Sequence, residues 1–322
     1  MIARRALLAW AFVALMPAAR AQGANVRRRI GFLHSSSLGA GAASLSVLRP
    51  LWAQLGFVEG ETVLLRAPEG HPSRLPGLVD ELMRAEVQVI ITLGRPATLA
   101  AAARMAPVVA IDMETDPIRA GLARSVARPG GTVTGLFLDQ PSLAAKWIDL
   151  LREAVPHADQ VVLLWDPRTG RDQIEVAQAH AARRGLQHVT VDWLAAGGPD
   201  AALAPFAGTS SGIIVLNVLG FSARAAEFGG AALRYRLPML AFARFHRAAP
   251  APGLLMSYGV EQRNYYARSM VFVDRILAGT PPGELPIELP TRYELTLDLR
   301  TARVLGVTFP VTLLAQADEV LE

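Results

Sequence analysis

Ile30-Gly-Phe-Leu-His34, a short apolar run, leads into the polar loop Ser35 to Gly41 and a helix-like stretch ending near Gly56, and the chain then repeats this pattern. Further apolar runs follow at Val63–Arg66, Val87–Leu93, Val108–Asp112 and Val133–Leu138. The pattern restarts at Gln160-Val-Val-Leu-Leu-Trp165 and continues through Gln187–Trp193, Gly212–Asn217, Pro238–Phe242 and Gly253–Tyr258. Apolar runs that alternate with helical segments predict parallel α/β layers, because a parallel connection needs a crossover. Two such units in tandem predict two Rossmann-like lobes facing each other across a cleft.

The expected helices of the first unit are Ala42–Leu55, Pro72–Arg84 and Pro96–Met105, each with apolar residues at helical spacing. Those of the second are Arg171–Arg184, Pro199–Ala207 and Ser222–Arg236, and Ala248 to Gly253, with two prolines, reads as a surface loop. Residues 260–279 read as a long helix stopped by Gly279 and Pro281-Pro282, followed by an extended segment Leu285–Leu297, a short helix Leu299–Leu305 and a terminal helix after Pro310. Elements that follow a complete second lobe must pack somewhere, so the chain is expected to cross back to the first lobe and return. That makes three crossings, near 139–142, 258–262 and 286–294. Lobe one is then 27–138 plus about 260–288, and lobe two 140–258 plus about 292–322.

Residues 1–21 read as an export signal: Arg4 and Arg5, the apolar stretch Ala6 to Met16, and a small-x-small site at Ala19-Arg20-Ala21. The apolar stretch is too short to span a bilayer, and no later run reaches the length that spanning needs. Without residues 1–21 the chain carries 29 basic and 28 acidic residues, so its basic isoelectric point gives no argument for nucleic-acid or membrane binding. The sequence contains no cysteine, which excludes disulfides and a lipidated cysteine and leaves stability to the core. A soluble monomer released into the periplasm is the expectation.

In an open α/β sheet, ligands sit beyond the carboxyl ends of the strands. Applied to both units, that rule selects Ser35, Ser36, Ser37, Gly94, Arg95, Ala97, Thr98 and Asp116 on one side, from loops that also hold Glu114 and Thr115. On the other side it selects Asp166, Asn217, Arg244 and Tyr258. Helix N-termini and Arg95 suit a carboxylate, while Asp116 or Asp166 suits an ammonium, so a zwitterionic amino acid or another carboxylate fits such a lining. Arg95, between Gly94 and the proline-initiated helix, is expected to set the charge of the ligand.

Catalysis finds no support. Gly39-Ala-Gly41-Ala-Ala-Ser44 follows a strand only after Ser-Ser-Ser-Leu and lacks the third glycine of a dinucleotide turn. The six histidines do not pair at metal spacings, no Gly-x-Ser-x-Gly elbow surrounds Ser35–Ser37, and the carboxylates form no acid/base pair. The expectation is a binding protein that is not an enzyme and has no cofactor and no metal.

Several stretches carry a resemblance: Leu55-Gly-Phe-Val-Glu-Gly60, Asp116-Pro-Ile-Arg-Ala-Gly-Leu122, Arg128-Pro-Gly-Gly-Thr-Val-Thr-Gly135, Gly253-Leu-Leu-Met-Ser-Tyr-Gly259, Leu285-Pro-Ile-Glu-Leu-Pro-Thr291 and Ala315-Gln-Ala-Asp-Glu-Val320. In this order over nearly the whole chain they resemble the ABC-transporter substrate-binding family whose characterised relatives bind aromatic amino acids such as tryptophan. The resemblance implies a type I periplasmic-binding fold, a small-molecule ligand and an ABC permease in the inner membrane as partner. Two positions depart from the family pattern: Arg95 stands where a small hydroxyl is usual, and Arg244-Phe-His-Arg247 is basic where an acidic residue is common. A repressor-like factor would need a helix-turn-helix before residue 30, where the signal lies. A ligand-sensing partner of a membrane receptor, or an exported two-lobed enzyme, are the other readings.

Overall fold

The computed structural model describes residues 28–112, 114–137, 140–169, 171–216, 221–242, 253–260 and 262–322. The export-signal expectation, the loop from Ala248 to Pro252, Asn217 and Arg244 therefore lie outside the described residues.

The first unit forms a five-stranded, all-parallel sheet from β1 (Ile30–His34), β2 (Val63–Arg66), β3 (Val89–Leu93), β4 (Val108–Asp112) and β5 (Val133–Phe137), in the order β2-β1-β3-β4-β5. The second unit forms a seven-stranded sheet. Its core, β6 (Gln160–Trp165), β7 (Gln187–Asp192), β8 (Ser211–Val215), β9 (Met239–Ala241) and β10 (Met256–Val260), runs β7-β6-β8-β9-β10. The two orders are the same permutation, so the sequence repeat is a repeat of topology, with a switch point at β1/β3 and another at β6/β8. Strands β1, β4, β5 and β8 are buried along their whole length, as parallel strands covered on both faces must be.

Helices α1 (Ala42–Gln54), α2 (Leu75–Arg84) and α3 (Arg95–Ala103) flank the first sheet, and α5 (Asp172–Arg183), α6 (Pro199–Leu203) and α7 (Phe221–Arg234) the second. In α2 the buried residues Leu75, Leu78, Val79 and Leu82 form one stripe, which is why the segment is a surface helix. Helix α4 (Gln140–Ala154) is an addition to the expected elements. Its Leu143, Ala144, Trp147, Ile148 and Leu151 recur at helical spacing and are buried.

Three crossings join the lobes. The chain leaves β5 of the first sheet and enters α4, which packs on α5 and β8. It leaves β10 and enters α8 (Gln262–Leu277), which packs on β3, β4, β5 and α1. The third crossing first lies along β5, where Phe137 N–H donates to Glu288 O at 3.0 Å and Glu288 N–H to Gly135 O at 2.9 Å. It then becomes β11 (Tyr293–Asp298) at the edge of the second sheet.

Because β11 enters from the crossing end, it runs antiparallel to β10, the one departure from the parallel order. Short α9 (Leu299–Leu305) starts at Asp298, whose carboxylate accepts from Arg300 N–H and Thr301 N–H, and stops at left-handed Gly306. The chain does not finish on the helix after Pro310. Helix α10 (Val311–Gln316) is followed by β12 (Glu319–Leu321), which pairs with β11 because Asp318 exchanges hydrogen bonds with Leu295.

Candidate functional site

The strand-end loops of the first sheet converge on the N-terminus of α3. Gly94 precedes it with φ 90°, a conformation that favours glycine, and lets the chain turn sharply from β3 into the helix. The helix's free N–H groups are then taken up by the protein. Arg95 N–H donates to Glu114 Oε2 at 3.1 Å, Ala97 N–H to Ser35 Oγ at 3.0 Å and Thr98 N–H to Gly94 O at 3.2 Å, while Pro96 has no N–H to give. The Thr98 hydroxyl donates to Gly94 O at 3.1 Å and pairs with Thr92 Oγ1 at 2.9 Å. Ser35 and Thr98 are buried and act as structural links between β1, β3 and α3. Ser37 Oγ accepts from Ala40 N–H at 3.0 Å, which shapes the turn into α1.

The glycines of Gly39-Ala-Gly41 serve that turn. A Cβ on Gly41 would stand 2.8 Å from Cδ2 of His34, so the absence of a side chain makes room for the buried imidazole.

Strand β4 ends in Asp112, fully buried, whose Oδ1 accepts from Glu114 N–H and Thr115 N–H and whose Oδ2 accepts from the Thr115 hydroxyl at 2.7 Å. Burial raises its acid, and the hydrogen bonds from Thr115 oppose the rise. Glu114, also buried, is pushed well above the carboxylate range by burial and by the charges of Asp112 and Asp166, against the pull of the Arg95 backbone and guanidinium. Asp116 lies one turn further on, where its Oδ1 accepts from Ile118 N–H and Arg119 N–H and closes the turn.

From the second lobe, Asp166 reaches this seam with no exposed surface. The chain turns through Pro167–Thr169, so Arg168 folds back and donates to Asp166 from Nε at 2.8 Å and from a terminal nitrogen at 2.5 Å. That turn packs against α3, and the Asp166 charge acts on Glu114 across the lobes.

Of the residues expected from sequence, the structure thus gathers Ser35, Gly94, Arg95, Ala97 and Thr98 at one helix end and sets Asp166 opposite. Ser36 and Ser37 continue the same loop, and Ser36 N–H donates to His34 Nδ1 at 2.9 Å. Tyr258 sits elsewhere, at the seam of β10 and β11: its ring stacks on Tyr293 at 5.7 Å, its carbonyl accepts from Trp147 Nε1, and its phenol is raised by burial and by the charge of Asp318. Asn217 and Arg244 lie outside the described residues.

Asp112 and Arg168 were not among the selected residues, and Glu114 stood in a selected loop without being chosen as a contact. The signal for Asp112 was present in Val108-Val-Ala-Ile-Asp112, where a carboxylate ends an otherwise apolar buried strand. Among the described residues no group of three histidines, aspartates or glutamates is placed to hold a metal ion. No helix among them is long and apolar enough to cross a membrane.

A family described as ABC transporter substrate binding protein matches residues 52–321. No curated protein sequence matches the chain. Among solved structures, a domain from Streptococcus pneumoniae in complex with L-Trp is 19% identical with a TM-score of 0.79, over 91% of this chain and 99% of that one. A conserved domain protein from Vibrio cholerae is 21% identical, again with a TM-score of 0.79 over 91% of this chain and 99% of that one. A ligand-free, open substrate-binding protein with adhesive properties from Clostridium difficile is 16% identical with a TM-score of 0.61, over 91% and 99% of the two chains.

Proposed function

We propose, starting from the fact that this chain belongs to the ABC transporter substrate-binding protein family, that it is the extracytoplasmic solute-binding component of an importer and closes its two lobes on one small polar ligand. The observation that carries this reading is the seam itself. Two sheets of the same topology point their switch-point loops at one another, and buried carboxyl groups from both lobes, Glu114 and Asp166, lie near enough there for the Asp166 charge to act on Glu114. Lobe one is taken as residues 27–138 and about 260–288, and lobe two as 140–258 and about 292–322. Residues 1–21 direct export, the mature chain acts in the periplasm as a monomer, and an inner-membrane ABC permease receives the ligand.

The candidate contacts are Ser36, Ser37, Arg95, Asp116, Asn217 and Arg244, with Ser35, Gly94, Ala97, Thr98, Glu114 and Asp166 holding the walls in shape. An amino acid or another carboxylate remains the ligand class. The reason for it changes, however. The N–H groups at the end of α3 already serve Glu114 and Ser35, so a ligand carboxylate must be met by side chains, Arg95 first.

A thermal-shift screen of L-Trp, other amino acids, dicarboxylates and aromatic acids tests this. A ligand that binds the native state raises the melting temperature by mass action. For the best hit, Arg95→Ala should weaken binding roughly 10- to 150-fold, the effect of one charge-assisted bond in a closed cleft. Unchanged affinity in that variant removes Arg95 from the contacts, and turnover of a bound metabolite by the purified protein overturns the binding-protein reading.

A further inference from the structure

Three carboxyl groups, Asp112, Glu114 and Asp166, are buried where the turn Pro167–Thr169 of lobe two lies on α3 of lobe one. Two of them are held by donors from their own segment. Asp112 accepts from the N–H groups of Glu114 and Thr115 and from the Thr115 hydroxyl at 2.7 Å. Asp166 accepts from Arg168 through the backbone N–H at 3.0 Å, through Nε at 2.8 Å and through a terminal nitrogen. Such donors favour the ionised carboxylate. Glu114, whose Oε2 accepts from Arg95 N–H at 3.1 Å, stands beside both.

Among the described residues, the charged groups that face Glu114 come from three elements. Strand β4 brings Asp112, α3 brings Arg95, and the turn of lobe two brings Asp166 and Arg168, the latter also acted on by Asp192. Tyr265 of α8, which packs on β4, feels the charge of Asp112 and is buried, so its phenol stays protonated. Burial raises both Asp112 and Glu114, and Glu114 goes further because the donors around Asp112 oppose the rise.

Parting the lobes alters these groups unequally. Asp112 keeps its donors, which lie on its own loop, and Asp166 keeps Arg168, two positions along the same turn. Glu114 loses the Asp166 charge and gains water, so the two effects that disfavour its ionisation weaken together. We propose that closing the lobes takes up one proton at Glu114, so that acid favours the closed, ligand-holding form and rising pH favours the open one. The sign follows from linkage: Glu114 keeps its proton to higher pH with the lobes together than apart, so closure binds a proton and protons favour closure by the same free energy. The inference rests on the closing-cleft reading.

Small-angle scattering of the ligand-free full chain tests it, with the proton itself as the probe. The radius of gyration should fall as pH is lowered from about 8 to about 5, a window above the ordinary carboxylate range and above the titration of His34. Glu114→Gln keeps an oxygen for Arg95 N–H and cannot ionise, so it should show the smaller radius at both ends of the window. Asp166→Asn removes the charge that lobe two sets against Glu114 and should narrow the difference between the two ends. A wild-type radius that does not change with pH, or a change equally large in either variant, overturns the proposal. If a hit of the thermal-shift screen still compacts the protein in that case, the closing-cleft reading stands without the proton. If neither pH nor any hit alters the radius, the closing-cleft reading fails as well.

Discussion

His34 is 6% exposed at the end of β1, and its Nδ1 accepts from Ser36 N–H, which leaves its proton on Nε2. Burial lowers its pKa from 6.5 to about 4, against a smaller upward pull from Glu69. The sign follows from proton counting. The folded state holds the ring neutral while the unfolded chain takes up a proton below 6.5, so the stability this group contributes is present above 6.5 and is lost as pH falls toward 4. The loss by pH 4 is about 3 kcal/mol. An NMR titration of the His34 ring should show a midpoint near 4, and a midpoint near 6.5 would mean that the ring reaches solvent. Gly41 belongs to the same structure. A Cβ there approaches His34 Cδ2 to 2.8 Å, so Gly41→Ala should lower stability by about 1–3 kcal/mol in urea unfolding. Adding His34→Ala should recover part of that loss, and strict additivity of the two changes would show that the contact is not the cause.

At the scale of elements, the beginning of α3 is the informative case. A helix N-terminus facing a cleft reads in sequence as an anion site, yet here Glu114 and Ser35 supply its acceptors. Ser35→Ala leaves Ala97 N–H buried without an acceptor and should cost about 1–3 kcal/mol, seen as a lower urea midpoint with unchanged slope. Glu114 gives a pH-dependent counterpart. Its folded acid is raised, so the stability it contributes is present below 4.5 and is lost as pH rises through the folded value. Glu114→Gln keeps an oxygen for Arg95 N–H and removes the charge, and should flatten the fall in stability above pH 4.5 relative to the wild type. A parallel pH dependence in the two proteins would show that another group carries it.

Across the whole molecule, closure of the two lobes on a ligand is the motion that the proposed function requires. The 3₁₀ turn Pro167–Thr169 of lobe two lies on α3 of lobe one, with Arg168 holding the carboxylate of Asp166. Saturation with the best ligand of the screen should lower the radius of gyration and stabilise the native state by about 2.7 kcal/mol at a hundredfold excess over Kd. Arg168→Ala strips a buried carboxylate of its charged partner and should lower stability by about 1–3 kcal/mol, measured by urea unfolding. Stability equal to the wild type would show that the Asp166–Arg168 pair contributes nothing to the fold.

The repeat of short apolar strands between helical segments was sufficient by itself to determine two α/β lobes and their crossings. Hydrophobic periodicity is local, and the parallel connection it implies allows few topologies. It also located β1, β3, β4 and β6, whose carboxyl ends form the seam. Helix α4 was missed in the sequence, although Trp147 and its neighbours carry the spacing of a buried face. The strand β12 was not, because three residues pair only when β11 is already in place beside them. The use of each polar group was decided by tertiary structure. Ser35, Arg95, Thr98 and Asp166 were chosen as ligand contacts on position alone. Their partners, Ala97, Glu114, Gly94 and Arg168, became visible only with the chain folded. A strand end tells where a side chain stands, whereas its charge and free hydrogen bonds depend on neighbours distant in sequence: Ser35 and Ala97 are brought to 3.0 Å across 62 positions of chain.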